Sequence, residues 1–242
     1  MKQVPDRTGR FARRPHYEPH ELDRECEQII SGFLRSKYGK VDYPVSTDDL
    51  TTLIEKHVDD LDLYADLSGF GQSVEGVTVF NPGGKPSVRI AGELAGDLRR
   101  ENRLRTTLTH EFGHVHFHSY LWDPQAMTLD FGEEPAPQNA GTDRIQVCKR
   151  ETIVNAAVSD WMEWQAGHVC GALLMPVTHV RKFIASEFPD IGPSPCTPSS
   201  EFGAKAIQAV TDRYQVSQDA ARVRLLRLGL LAEPGRTASL FG

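Results

Sequence analysis

Cysteine is scarce and scattered: Cys26, Cys148, Cys170 and Cys196 are the only four in 242 residues, and no C-x-x-C pair brings two thiols together. That spacing does not outline a disulfide framework or a four-thiol zinc site, and free thiols in a reducing compartment are expected. No apolar run approaches the roughly 20 residues that cross a bilayer. Residues 1–20 carry Arg7, Arg10, Arg13 and Arg14 among prolines, without the apolar core of a secretory signal. A cytoplasmic chain with no membrane partner is the expectation. Positive charge is also in deficit: a net charge of −6 argues against a general nucleic-acid coat, though it leaves room for a local basic patch. The apolar and charged fractions are those of a globular protein, and the length suits one large domain or one domain with a small appendage.

What is abundant is histidine in one place. Four of the nine histidines, His110, His114, His116 and His118, fall within nine residues. His110-Glu111-Phe112-Gly113-His114 is an H-E-x-x-H pattern. On an α-helix, positions i and i+4 stand about 40° apart around the axis and about 6 Å along it, so two imidazoles reach one cation without breaking the helix. Glu111, one step round, is poorly placed to ligate but well placed to take a proton from a water that the cation acidifies. Chance produces this pattern in on the order of one chain per hundred of this length, so it needs a convincing helix and a third ligand.

The helix is convincing. Leu104, Leu108, Phe112 and Val115 follow helical spacing within a segment running roughly 99–120, which Asp97 can cap. Gly113 is a poor helix former, which points to close approach by another segment. His116 and His118 read as surface or supporting groups rather than ligands. A third ligand comes from the helix Trp161 to about Met175, capped by Ser159 or Asp160 and stopped by Pro176. Glu163, Gly167 and Cys170 share one side of it, and two small residues beyond the glutamate let this helix lie close to the first. Glu163 then completes a His₂Glu shell with one position open for water.

Elsewhere the chain reads as helices and a few strands. A helix starts at Pro19 with an apolar stripe of Leu22, Cys26, Ile29, Ile30, Phe33 and Leu34. Ser46 or Thr47 caps a shorter one with Leu50, Leu53 and Ile54. Alternation over Leu61–Leu67 predicts a strand. Val77–Phe80 and Ser87–Ala91 flank Asn81-Pro82-Gly83-Gly84-Lys85-Pro86, a hairpin that either covers the catalytic helix or lends an edge to an extended peptide. Residues 121–158 read as a long loop with an acidic excess at Asp123, Asp130, Glu133 and Glu134 and a short strand at Arg144–Cys148, whose Cys148 is more simply a buried or surface thiol than a ligand. A helix at Val177–Phe188 and a Pro-rich loop, Pro189–Ser200, follow. Helices at Phe202–Tyr214 and Ser217–Leu228 then have the outline of a helix-turn-helix, with Arg213, Arg222, Arg224 and Arg227 supplying charge. Apolar Ala220, Val223, Leu226 and Leu230 favour ordinary packing over direct DNA binding.

Three blocks in order resemble the ImmA/IrrE family of metallo-endopeptidases, over about residues 45–231. They are Thr106-Thr107-Leu108-Thr109-His110-Glu111-Phe112-Gly113-His114, then Glu163-Trp164-Gln165-Ala166 through Leu173-Leu174-Met175-Pro176, then Val216-Ser217-Gln218-Asp219-Ala220-Ala221 with Arg224-Leu225 and Leu228-Gly229-Leu230. The resemblance implies an α+β, zincin-like (gluzincin-type) core with the active helix packed on a small antiparallel sheet, plus a C-terminal helical subdomain. It implies His110, His114 and Glu163 as metal ligands and Glu111 as general base, with zinc, or manganese, as the metal. Family members are bacterial or phage-associated, and several cleave a helix-turn-helix repressor, releasing transcription during stress or mobile-element induction. A repressor encoded nearby is therefore the partner that the resemblance suggests. The organisation expected is a basic flexible tail (1–18), a metallopeptidase core (19–190, with the 121–158 insertion) and a C-terminal helix-turn-helix-like unit (191–242).

The expected chemistry is metal-assisted peptide hydrolysis, with an oxyanion donor among Arg224, Tyr120, Tyr214 and His168. The competing reading is a metal-stabilised regulatory protein that binds a repressor or DNA without turnover, or a component of a toxin–antitoxin pair.

Overall fold

A computed structural model describes residues 1–122, 144–149, 160–189 and 196–233. Ser159, the acidic residues Asp123 to Glu134, most of the 121–158 loop and half of the Pro189–Ser200 loop lie outside the described residues. The fold is mixed α+β. Strands β1 (Lys2–Pro5) and β2 (Arg13–His16) precede helices α1 (Pro19–Tyr38) and α2 (Thr47–Glu55). Strands β3 (Asp60–Ala65), β4 (Val74–Val79) and β5 (Ser87–Ala91) lead through a short turn of helix, α3 (Gly92–Ala95), into α4 (Glu101–His118). Strand β6 (Ile145–Lys149) is followed by α5 (Trp161–Leu174), α6 (Val177–Glu187), α7 (Glu201–Tyr214) and α8 (Gln218–Arg227).

Capping chemistry sets most of these boundaries. Ser46, Asp160, Ser200 and Ser217 each accept a backbone N–H from the first turn of α2, α5, α7 and α8. Pro19 opens α1, where its missing N–H costs nothing. Asp97 caps the 3₁₀ turn Leu98–Arg100 and not α4 itself, which begins at Glu101. Proline at 176 ends the run of α5 and starts α6.

The main sheet has the order β3-β5-β4-β6. It is mixed and not antiparallel throughout: β4 pairs antiparallel with β5 and with β6, while β3 runs parallel to β5. The Asn81–Pro86 hairpin forms as expected, but β5 inserts between β3 and β4, and β6 takes the other side of β4. Neither hairpin strand has a free edge, so the hairpin cannot add an extended peptide; among the described residues β3 and β6 are the edges.

Helix α4 lies between the sheet on one side and α2 and α5 on the others, and everything from Leu104 to Val115 is buried. The stripe of Leu104, Leu108, Phe112 and Val115 enters the main apolar core, which also holds Leu22, Ile30, Leu53, Ile90, Val169, Leu173, Val210 and Leu225. The same core therefore continues from α1 to α8, and the C-terminal helices share it. Buried Arg105 ties α4 to the carbonyls of Val45 and Gln215, fixing the helix against the C-terminal turn.

Residues 1–18 are not a tail. Strands β1 and β2 pair from Lys2–His16 to Pro5–Arg13, and Phe11 packs edge-on against Trp122 and Trp161 at 5.1 and 6.3 Å. The arginines that read as a mobile basic tail are partly docked: Arg10 and Arg14 lie over the rings of Trp122 and Trp161. Among the described residues no helix is long and apolar enough to cross a membrane.

Candidate metal centre

Three side chains from two helices converge. His110 Nε2 lies 3.1 Å from His114 Nε2 and 3.1 Å from Glu163 Oε2, and His114 Nε2 lies 3.1 Å from Glu163 Oε1. Two donors on a tetrahedral cation with bonds of about 2.0–2.1 Å stand about 3.3–3.4 Å apart. The triangle therefore has the size and donor set of a metal site, and this buried cluster can hold a metal ion.

The approach depends on small residues. A Cβ on Gly113 would meet Ala166 Cα at 2.9 Å and the Cβ atoms of Ala166 and Val169 at 3.3 Å. Glycine here, with Ala166 opposite, brings α4 and α5 close enough for Glu163, one turn before Ala166, to reach both imidazoles. Replacing Gly113 with alanine gains about 1 kcal/mol of helix propensity but overpacks the crossing by about 1–3 kcal/mol. Gly113→Ala is thus expected to lower the Tm by a few degrees and to weaken metal binding, measured by thermal melts with and without zinc.

Glu111 sits beside the triangle and is fully buried. Its Oε2 accepts a 2.5 Å hydrogen bond from Thr78 Oγ1 on β4, while Oε1 has no partner among the described residues. It fits because β4 carries glycine at 76: a Cβ there would come within 2.4 Å of Glu111 Oε1. Burial raises the Glu111 pKa, with the two imidazoles pulling the other way. Burial also works to raise Glu163, but His114 and His110 outweigh it and hold that carboxyl far below its ordinary range. His110 is correspondingly raised: burial opposes its charge, and Glu163 more than compensates. Its Nδ1 is buried without a partner among the described residues.

Supporting side chains complete the site. Gln146 on β6 donates to Glu163 Oε1 at 2.6 Å. His118, which reads from the sequence as a supporting group or a surface one, is buried between His114 and Gln165. His116 points away, to Glu25 at 2.9 Å. Cys148 stands within 4.8 Å of His110 and Glu111 in ligand-atom distance, yet burial pushes its thiol well above the ordinary value and disfavours the thiolate a cation would need. Thr78, Gly76 and Gln146 escaped the sequence reading; an isolated glycine in the Val74–Val79 run was the signal for close approach by another segment.

The four oxyanion candidates are engaged elsewhere. Arg224, fully buried, donates to Met175 O at 2.9 Å and to Asp23 Oδ1 at 2.7 Å, and His168 Nε2 bonds the same carboxylate oxygen at 3.0 Å. Tyr214 packs against Tyr43 and Phe183 in the core. Tyr120 accepts a hydrogen bond from Gln3 at the N-terminal hairpin. Arg213 and Arg227 likewise bond backbone carbonyls at Tyr43 and Gly167, and Arg222 pairs with Asp219. Of these four arginines only Arg224 is buried; Arg213 and Arg222 are half-exposed and Arg227 is exposed.

The Asp23 cluster has a pH consequence. Burial lowers the His168 pKa below 6.5. The unfolded chain takes up a proton there that the fold resists, so this histidine's contribution to stability is present above about 6.5 and declines as pH falls below it. Asp23 is held below 3.8: burial works to raise it, but His168 and Arg224 prevail, so its contribution is lost only in stronger acid. Relative to His168→Gln, the wild type is expected to lose up to about 1.4 kcal/mol per pH unit below pH 6.5, measured by urea unfolding at pH 5–7.5.

No protein-family model matches the chain, and a search of curated proteins finds no match, so the functional reading rests on the site itself.

Proposed function

We propose that the chain is a zinc-dependent endopeptidase of zincin-like architecture that hydrolyses a peptide bond in a protein substrate. The observation that carries this is Glu111: a buried carboxylate with one oxygen anchored by Thr78 and the other unpartnered among the described residues, set against a His₂Glu triangle. A purely structural metal site has no use for an adjacent carboxylate with an idle oxygen.

His110, His114 and Glu163 would hold the cation, which supplies Lewis acidity for a scissile carbonyl and lowers the pKa of a water. Glu111 takes the proton of that water on Oε1 and delivers it to the leaving amine. Its raised pKa suits both transfers, because a carboxyl closer to neutrality gives the proton back more readily. Thr78 fixes the carboxylate plane so that Oε1 is the working oxygen. Gln146 and the β4–β6 pair wall the site on the sheet side.

The resemblance to the ImmA/IrrE family makes a helix-turn-helix repressor the first substrate to try, with zinc ahead of manganese. The test is to incubate the metal-loaded chain with a helix-turn-helix protein encoded beside it and to identify products by mass spectrometry. A single cut that disappears with chelator supports the peptidase. A stable complex without products supports a regulatory binder instead.

A further inference from the structure

Two chains of hydrogen bonds, buried but for the Arg10 end of one, run from the N-terminal hairpin to the candidate metal triangle. In the first, the Pro15 carbonyl accepts from Gln165 Nε2 at 3.0 Å. A carbonyl only accepts, so the amide's NH₂ faces Pro15 and its Oε1 faces His118 Nε2, 2.9 Å away. That oxygen only accepts in turn, so His118 carries its hydrogen on Nε2. Its bare Nδ1 lies 3.1 Å from His114 Nδ1 and must receive a hydrogen from it. His114 Nε2 is then left with an open lone pair, and this is the nitrogen that faces Glu163 Oε1 and His110 Nε2. Two acceptors 3.1 Å apart repel one another unless a proton or a metal cation sits between them.

In the second chain the Arg10 guanidinium, which only donates, bonds Gln146 Oε1 at 2.7 Å. The NH₂ of Gln146 is thereby turned to Glu163 Oε1 at 2.6 Å. The two amides are set in opposite senses by two different groups of the same hairpin, and each setting prepares a ligand to meet a cation. The hairpin also docks Phe11 between Trp122 and Trp161, and the residues beneath it, His110, Glu111 and His114, have no exposed surface.

We propose that the N-terminal hairpin is a working part of the metal centre: through Gln165 and His118 it fixes the tautomer of His114, and through Gln146 it orients Glu163, so that a bound divalent cation and the docked hairpin stabilise each other. His118, Gln165 and Gln146 are positioning residues. The inference rests on the metal-site reading of His110, His114 and Glu163, not on peptidase activity. Metal ligands oriented this way commonly lose about 10–100-fold in metal affinity when the supporting partner is removed. Coupling is reciprocal, so the cation tightens the hairpin by the factor with which the hairpin tightens the cation.

The test uses the full chain and zinc alone. Long-range proton–nitrogen spectra of the metal-free protein are expected to place the hydrogen on Nδ1 of His114 and on Nε2 of His118. Hydrogen exchange at the amides of β1 and β2 is expected to slow at least about tenfold when zinc is added. In chelator competition, His118→Phe and Gln165→Leu are expected to bind zinc about 10–100-fold more weakly, while His116→Gln on the same helix stays within about twofold of wild type. The opposite tautomers, hairpin exchange that ignores zinc, or unchanged affinity in both variants would each overturn the proposal. A wild type that takes up no zinc removes this inference and the metal site together, whereas zinc binding without cleavage removes only the peptidase.

Discussion

Glu111→Gln is expected to reduce peptide cleavage by about 10²–10⁴-fold, the usual worth of a positioned general base, while zinc stays bound. The amide keeps the shape of the carboxylate and can still accept from Thr78 Oγ1, so neither the β4–α4 contact nor the ligand triangle is disturbed. What is lost is the proton acceptor at Oε1. Gly76→Ala tests the same oxygen from the other side of the gap. Its new Cβ would fall 2.4 Å from Glu111 Oε1, and the flexible end of the glutamate is what gives way. A displacement of about 1 Å at a catalytic group can cost about 10²-fold. Gly76→Ala is therefore expected to cleave about 100-fold more slowly with its zinc content intact. Full activity in Glu111→Gln would reject the assigned base.

Zinc is expected to raise thermal stability, and removing one ligand is expected to cancel the effect. A ligand held only by the native state at 1,000 times its Kd stabilises by about 4 kcal/mol, which corresponds to about 8–16 °C in Tm for a chain of this size. Glu163→Ala leaves two imidazoles without their carboxylate and should show little or no zinc-dependent shift. It should also destabilise the metal-free protein, because His110 and His114 lose their carboxylate partner and the buried Gln146 amide loses its acceptor. Melting curves with zinc and with chelator, on wild type and variant, measure both effects. A shift in Glu163→Ala as large as in the wild type would place the cation elsewhere, with Cys148, His110 and Glu111 as the alternative donors within reach of one another.

The parts of this site that were legible in the sequence are those set by helical period and capping. A four-residue spacing puts two imidazoles on one face, and no tertiary detail alters that. Gly113 announced a close helix crossing, and Ala166 with Val169 supplies it. Glu163 shares one side of its helix with the small residues Gly167 and Cys170, and it lies where the two histidines meet. The sheet was less legible because strand order depends on long-range pairing: nothing local says that β5 goes between β3 and β4, and that insertion is what makes the sheet mixed. Arg224 shows the same limit for charge. An arginine on an exposed-looking helix face reads as a surface or catalytic cation until packing supplies Asp23 and the Met175 carbonyl. The N-terminal hairpin was least legible, since its short strands carry arginines and prolines and their order comes from aromatic rings far along the chain.

Anomalous diffraction from zinc-loaded crystals addresses the metal centre directly. A single strong peak within about 2.0–2.2 Å of His110 Nε2, His114 Nε2 and a Glu163 oxygen is the predicted result. No peak at that position, or one ligated by Cys148 with Glu163 turned away, would contradict it.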